Sequence, residues 1–280
     1  MKLRYTCSYW GSEHLSAQEF LDKVLAHGYE GVEINLPDDE RFAAEFTAGL
    51  SRIRAERDPG FLFIAQQVLP PARESAEAYQ NRMKARLEFL CSLRPDAINS
   101  HTGKDFFEWD ENLAIIDAAE SISMSEGIPI WHETHRGRFS FHAKSLLAYL
   151  KHFPHLKLVG DLSHFCVVSE SLLDEQEAIL RQIFPHIHHL HARVGSGQAP
   201  QVNHPFAPEW ETERCRFIAW WKEILDLQKK RNQPKFSLTP EAGPFPYLPQ
   251  EPFSQKPYYD PFEMNHLLKN HLIAEWKPEF

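Results

Sequence analysis

The chain has 280 residues, 42% of them hydrophobic and 25% charged, with a formal net charge of −9 when the histidines are neutral. That balance suits a globular protein with a substantial core. Without a Lys/Arg stripe it argues against a nucleic-acid partner, whose phosphates call for a basic face.

The opening "MKLRYTCSYWGSEH" lacks an apolar core of signal-peptide length, and no later stretch is long enough to span a bilayer. A cytoplasmic protein with no membrane contact is therefore expected. The four cysteines, Cys7, Cys91, Cys166 and Cys215, lie far apart and form no C-x-x-C pair. Thiolate zinc is not expected from them, and reduced thiols fit the cytosol.

In chain order, short apolar runs rich in β-branched and aromatic residues alternate with longer amphipathic stretches. "KLRYTCS" (2–8) leads to "SAQEFLDKVLAHG", a helix pattern with a Ser N-cap and a closing Gly. "YEGVEI" (29–34) and "FLFIAQQ" (61–67) follow, then the helical "AYQNRMKARLEFLCSL". "DAINSH" (96–101) precedes "DENLAIIDAAESISMSEG", and "IPIWHE" (128–133) precedes "HAKSLLAYLKHF". The last runs are "LKLVGD" (156–161), "HIHHLHAR" (186–193) and "KFSLTPE" (235–241), with "TERCRFIAWWKEILDLQKKRNQ" between the final two.

Strict alternation demands parallel strands with right-handed crossovers. Eight such units predict a closed (β/α)8 TIM barrel over 1–280, as one domain. A doubly wound sheet would carry a Gly-rich phosphate loop after its first strand, and "SYWGSEH" is no such loop. The stretch "GPFPYLPQEPFSQKPYYDPF" (243–262) resists both helix and strand. It is expected to be an extended loop that serves as a lid or a subunit contact. Barrels commonly pair, which leaves a homodimer open.

A barrel of this kind carries its active site at the C-terminal strand ends. Here successive runs end at His101, Glu133, Asp161 (with His164 three residues on), His191 and Glu241. Alternate strand residues share a face. With Glu241 inward, Leu238 and Phe236 turn out to the helices. With His191 inward, Arg193 shares its face. The same parity turns His132 and His188 outward. Glu33, ending the second run, reads equally as a structural residue or as a contact to substrate or to the site residues.

Glu133, Asp161, His191 and Glu241 form an oxygen and nitrogen donor set suited to one divalent ion, Mn²⁺ first, with Zn²⁺, Co²⁺ or Mg²⁺ as alternatives. Three carboxylates brought together without a cation would repel. Tyr9, Trp10, Phe107 and Trp109 follow the first and fourth runs; they either wall a bound sugar or close the barrel top.

The motifs "HETHRGR" around Glu133, "GDLSH" with Asp161 and His164, "HLHARVG" around His191 and "LTPEAGP" around Glu241 resemble the xylose-isomerase-like TIM-barrel superfamily of sugar isomerases and epimerases. The resemblance implies a metal held by Glu133, Asp161, His191 and Glu241. It implies substrate contacts from His164 and from an Arg past the metal His, here Arg193, with His101, Trp10 and Trp109 expected beside them. The implied substrate is a small sugar or related polyhydroxy carbonyl compound. Glu133 and Glu241 would move its proton through a metal-stabilised enediolate. A hydro-lyase on the same site, or a non-catalytic metal-dependent sugar binder, is the alternative. Related abasic-site nucleases need an Asp-x-His in the loop after the seventh strand, and xylose isomerase proper an Asp-x-Asp. This chain has "QVNH" (201–204), so a one-metal site is expected.

Overall fold

Each apolar run forms a strand in the computed structural model, which describes residues 1–276. The strands are β1 (Lys2–Ser8), β2 (Gly31–Ile34), β3 (Leu62–Gln67), β4 (Ala97–Ser100), β5 (Ile130–Glu133), β6 (Leu158–Gly160), β7 (Ile187–Ala192) and β8 (Lys235–Pro240). They pair in parallel in sequence order, and β8 returns to β1 to close the barrel. The expected (β/α)8 architecture is the one observed. Most strands are a residue or two shorter than the apolar runs.

Local chemistry sets the helix ends. In α1 (Ala17–Ala26), Ser16 and Glu19 form a reciprocal capping box. The helices α2 (Glu40–Glu56) and α3 (Ala76–Ser92) start at Asp39 and Ser75, whose side chains accept from first-turn N–H groups. After α4 (Trp109–Glu126), Gly127 adopts φ 66°, the left-handed conformation that ends the helix. The chain continues through α5 (Ala143–His152) and α6 (Leu162–Val168), which Asp161 caps, to α7 (Glu177–Ile183), α8 (Glu211–Lys230) and α9 (Pro261–Trp276). Two helices, α6 and α7, thus lie between β6 and β7 where strict alternation predicts one.

Two layers of burial result. Outward residues of the strands, such as Val32, Phe63, Ile98 and Leu238, pack with Phe20, Phe46, Leu87 and Trp221 of the surrounding helices in one hydrophobic core. Inward residues are largely polar: Thr6, Glu33, Gln66, Asn99, His189, His191 and Thr239 are all buried. Their hydrogen bonds link neighbouring strands, as between Thr6 Oγ1 and Thr239 Oγ1 at 2.6 Å, and also cross the barrel, as between His191 Nε2 of β7 and Glu33 Oε1 of β2 at 2.9 Å. Parity holds at β5, where outward His132 meets Thr102 Oγ1 at 2.7 Å and Glu120 of α4 at 3.1 Å.

Candidate metal centre and active site

Four strand ends bring Glu133, Asp161, His191 and Glu241 together at the C-terminal mouth. Ligand atoms of Asp161, His191 and Glu241 lie within 4.8 Å of one another, and Glu133 groups likewise with Asp161 and His164. His191 is the hub: its Nδ1 lies 2.8 Å from Glu241 Oε2 and 3.7 Å from Glu133 Oε2. Although buried, this Nδ1 has no hydrogen-bond partner. Close approach to carboxylate oxygens without hydrogen-bond geometry is how lone pairs aimed at a common point are arranged. The residues fit a divalent cation on donor chemistry and on this orphaned atom.

Each member is oriented from behind. His191 Nε2 meets Glu33 Oε1 at 2.9 Å, which leaves Nδ1 toward the cluster. Glu33 also accepts from Asn99 Nδ2 at 2.9 Å, Gln66 Nε2 at 3.2 Å and Thr239 Oγ1 at 2.5 Å. Asn99 spans the barrel, its amide reaching Glu133 Oε2 at 2.7 Å as well. Glu133 Oε2 is also 3.0 Å from His101 Nε2. Asp161 uses one oxygen as the cap of α6, accepting from Ser163 N at 3.0 Å and Ser163 Oγ at 2.5 Å. Its other oxygen pairs with Arg193, whose second nitrogen lies 3.3 Å from Glu241 Oε2.

Electrostatics follow from this packing. Burial pushes the Glu133 carboxyl up, but the His101 and His191 charges outweigh it and hold it well below the usual carboxylate range. The same balance, set by His191 and His189, keeps Glu33 ionised. Burial, joined by the Glu241 and Glu133 charges, raises Asp161 to about 6 despite Arg193. For His191, burial opposes protonation, but the Glu241, Glu33 and Glu133 carboxylates around it push its pKa well above the ordinary range, the same negative field that would draw a divalent cation. His164 moves the other way, its pKa held well below the ordinary range by burial first and then by His135 and the Arg193 guanidinium beside it.

Above the cluster opens a pocket of about 1040 Å³, to which His101, Glu133, Arg193, Glu241 and Trp10 all contribute. Two expected contacts lie elsewhere. His164 is fully buried. The His135 ring covers it at a centroid distance of 3.9 Å, and Arg193 donates to its Nε2 at 2.9 Å. It orients the guanidinium instead of facing the pocket. Trp109 is the first residue of α4 and does not line the pocket; its ring lies against Tyr149 at 4.3 Å. Phe107 packs edge-on against Tyr79 at 5.6 Å.

Three contributors escaped sequence reasoning. Asn99 shares the inward parity of His101, a signal that was there to be used. His135 lines the pocket, its Nε2 meeting the Tyr247 hydroxyl at 3.3 Å. Tyr247 comes from the Pro-rich segment after β8, which has no periodicity to place it. It lies under the Arg193 guanidinium at 4.8 Å and edge-on to Trp10 at 4.9 Å. Gly243 permits that approach, since a Cβ there would sit 2.2 Å from the Trp10 indole.

No family model and no curated protein matches the chain. Solved structures do. IolI, in a structure titled with a bound zinc atom, aligns over 99% of both chains at 12% identity with a TM-score of 0.62. The 3-keto-D-glucoside 4-epimerase YcjR of E. coli covers 98% of this chain and 100% of its own at 11% identity, TM-score 0.61. A xylose-isomerase-like TIM-barrel protein of Mycobacterium smegmatis, in complex with magnesium, covers 97% and 95% at 11% identity, TM-score 0.63. The chain is a xylose-isomerase-like TIM barrel in fold. No helix among the described residues is long and apolar enough to cross a membrane.

Proposed function

We propose that the protein is a divalent-metal-dependent isomerase or epimerase of a small sugar or related polyhydroxy carbonyl compound. The observation that carries this is the buried Nδ1 of His191, without a hydrogen-bond partner yet 2.8 Å from Glu241 and 3.7 Å from Glu133, two carboxylates that line the pocket. Glu133, Asp161, His191 and Glu241 would hold the ion, with Mn²⁺ favoured by the three carboxylates and one imidazole. When bound, such an ion supplies Lewis-acid polarisation of neighbouring substrate oxygens.

The chain's own groups do the rest. Glu133 and Glu241 come from strands on different sides of His191. One can take the proton from the carbon next to a carbonyl, while the C–H electrons move into the carbon–carbon bond and the carbonyl electrons onto oxygen. The other, protonated at the start of that turn, can give its proton to the opposite face of the same carbon for epimerisation; for isomerisation the former carbonyl carbon takes the proton while the adjacent hydroxyl passes its own to the former carbonyl oxygen. Arg193 faces the pocket with a guanidinium that Asp161 and Glu241 keep charged against burial, so it can stabilise the growing negative charge on oxygen. Trp10 and Tyr247 give the sugar ring an aromatic wall.

Elemental mass spectrometry of the purified protein, followed by incubation with ketoses and aldoses in heavy water, tests this. About one equivalent of Mn, Zn, Co or Mg is expected, absent from an Asp161→Ala, His191→Ala variant. Deuterium should enter a substrate C–H at an unchanged skeleton. Loss of water from the substrate would instead identify a dehydratase, the activity named for the probable 3-DHS dehydratase AsbF of Bacillus anthracis, whose fold matches at 17% identity and TM-score 0.58. A protein that takes up no metal under any condition sinks the proposal.

A further inference from the structure

The pocket is much larger than the reaction just proposed requires. A single hexose has about a dozen non-hydrogen atoms, whereas pockets of roughly 300–1,000 Å³ hold drug-sized ligands. Here about 1040 Å³ is available. The excess lies on one side. Glu133, Arg193 and Glu241 mark the end over β5–β8, and the cavity then runs outward as a trough between the loops after β1, β2 and β3.

The trough has its own chemistry. Its wall is apolar, built from Leu36, Pro37, Phe42, Val68, Leu69 and Pro70. Its charges are mostly carboxylates, Glu13, Asp38, Asp39 and Glu45, and its two guanidinium groups are already engaged. Arg86 is held by Asp38 at 3.3 Å, Asn35 Oδ1 at 3.2 Å and the Leu36 carbonyl at 2.5 Å. Arg41 pairs with Glu45 at 2.9 Å. Neither guanidinium of the trough is left unpaired to receive a phosphate or carboxylate, His14 is the one other basic side chain among the described residues that line the trough, and the four carboxylates would repel an anion.

We infer that the trough is a second subsite and that the substrate is a neutral two-ring glycoside. The reacting sugar sits over Glu133 and Glu241, and the second ring, sugar or aryl, lies against the Leu36–Leu69 wall. This rests on the sugar-acting reading above and narrows its substrate class. Apolar ring faces against Phe42 and the aliphatic wall would supply the extra affinity, with hydroxyls turned to the carboxylate rim.

Calorimetric titration with Mn²⁺ present tests it without needing turnover. The probes are free hexoses, their p-nitrophenyl glycosides, neutral disaccharides and a hexose phosphate. A glycoside or disaccharide should bind about tenfold or more tighter than the matching free hexose, and the phosphate weakest of all. Leu69→Trp, or Pro70→Trp at an exposed rim position where folding is not at stake, should remove about tenfold from the two-ring ligand and less than about twofold from the hexose. Tighter binding of aryl glycosides than of disaccharides would assign the second ring as aryl, and the reverse as sugar. A hexose that binds as tightly as every two-ring ligand, or an unchanged preference in both variants, overturns the subsite alone. If no sugar of either size binds, the sugar-acting reading falls and the subsite with it.

Discussion

At the scale of single residues, the site depends on which nitrogen of His191 faces the cluster, and Glu33 decides that. A metal-ligating imidazole works only if its other nitrogen is held by a partner that fixes the ring and the tautomer. Glu33 is that partner, fully buried and held by Asn99, Gln66, His189 and Thr239 as well as His191. Glu33→Gln keeps the shape and removes the charge that anchors the ring. Metal affinity should fall by about 10–100-fold, read by competition with a metal indicator dye, while the melting curve of the metal-free protein keeps its cooperativity. An affinity within about twofold of wild type would show that Glu33 only fills the barrel. Sequence alone left these two readings of Glu33 level, since a carboxylate ending a strand carries no sign of whether a histidine from the far side of the barrel will reach it.

Alternation within single strands was the most informative signal, and β7 shows both its reach and its limit. Parity turns His191 and Arg193 inward and His188 outward, and all three lie so. What parity does not give is the environment met on the outer face. His188 is partly buried beside Lys157, His186 and Arg231, and burial, followed by the Lys157 and Arg231 charges, lowers its pKa to about 4. A histidine whose folded pKa is depressed contributes stability above its unfolded pKa, near 6.5, and loses it as pH falls toward the folded value. Its share is at most about 3 kcal/mol, lost between about pH 6.5 and 4. His188→Gln should therefore flatten the fall in unfolding free energy over that window relative to wild type, as measured by urea denaturation at a series of pH values. Parallel curves for the two proteins would mean that His188 stays hydrated and titrates normally. The segment after β8 marks the other limit of sequence reading. Tyr247 reaches the site through a Pro-rich loop docked on Trp10, and neither period 2 nor period 3.6 encodes such a path.

Across the whole molecule, the barrel interior carries the argument. Barrels of this class usually fill their centre with layers of branched aliphatic side chains. Here Glu33, Gln66, Asn99, His189, His191 and Thr239 replace much of that filling with a hydrogen-bonded polar layer beneath the carboxylate cluster. The βα rhythm and the inward strand ends were legible because each depends on local spacing. The polar layer was not, because it is made of contacts between strands far apart in the chain, Glu33 with His191 above all. Its energetic consequence is global. Glu133, Asp161 and Glu241 are buried against only Arg193 and the histidines, so the folded state holds carboxylates close together that the unfolded chain would separate. A cation bound only by the folded state stabilises it by mass action, about 2.7 kcal/mol at a concentration one hundred times its Kd. For a chain of this size that corresponds to roughly 5–8 °C in Tm. Scanning calorimetry with Mn²⁺ against a chelator should show this rise in wild type and none in the Asp161→Ala, His191→Ala variant. An equal rise in both would place the ion elsewhere on the molecule. No rise in either would mean that Arg193, already shared between Asp161 and Glu241, and the surrounding histidines suffice to balance the cluster.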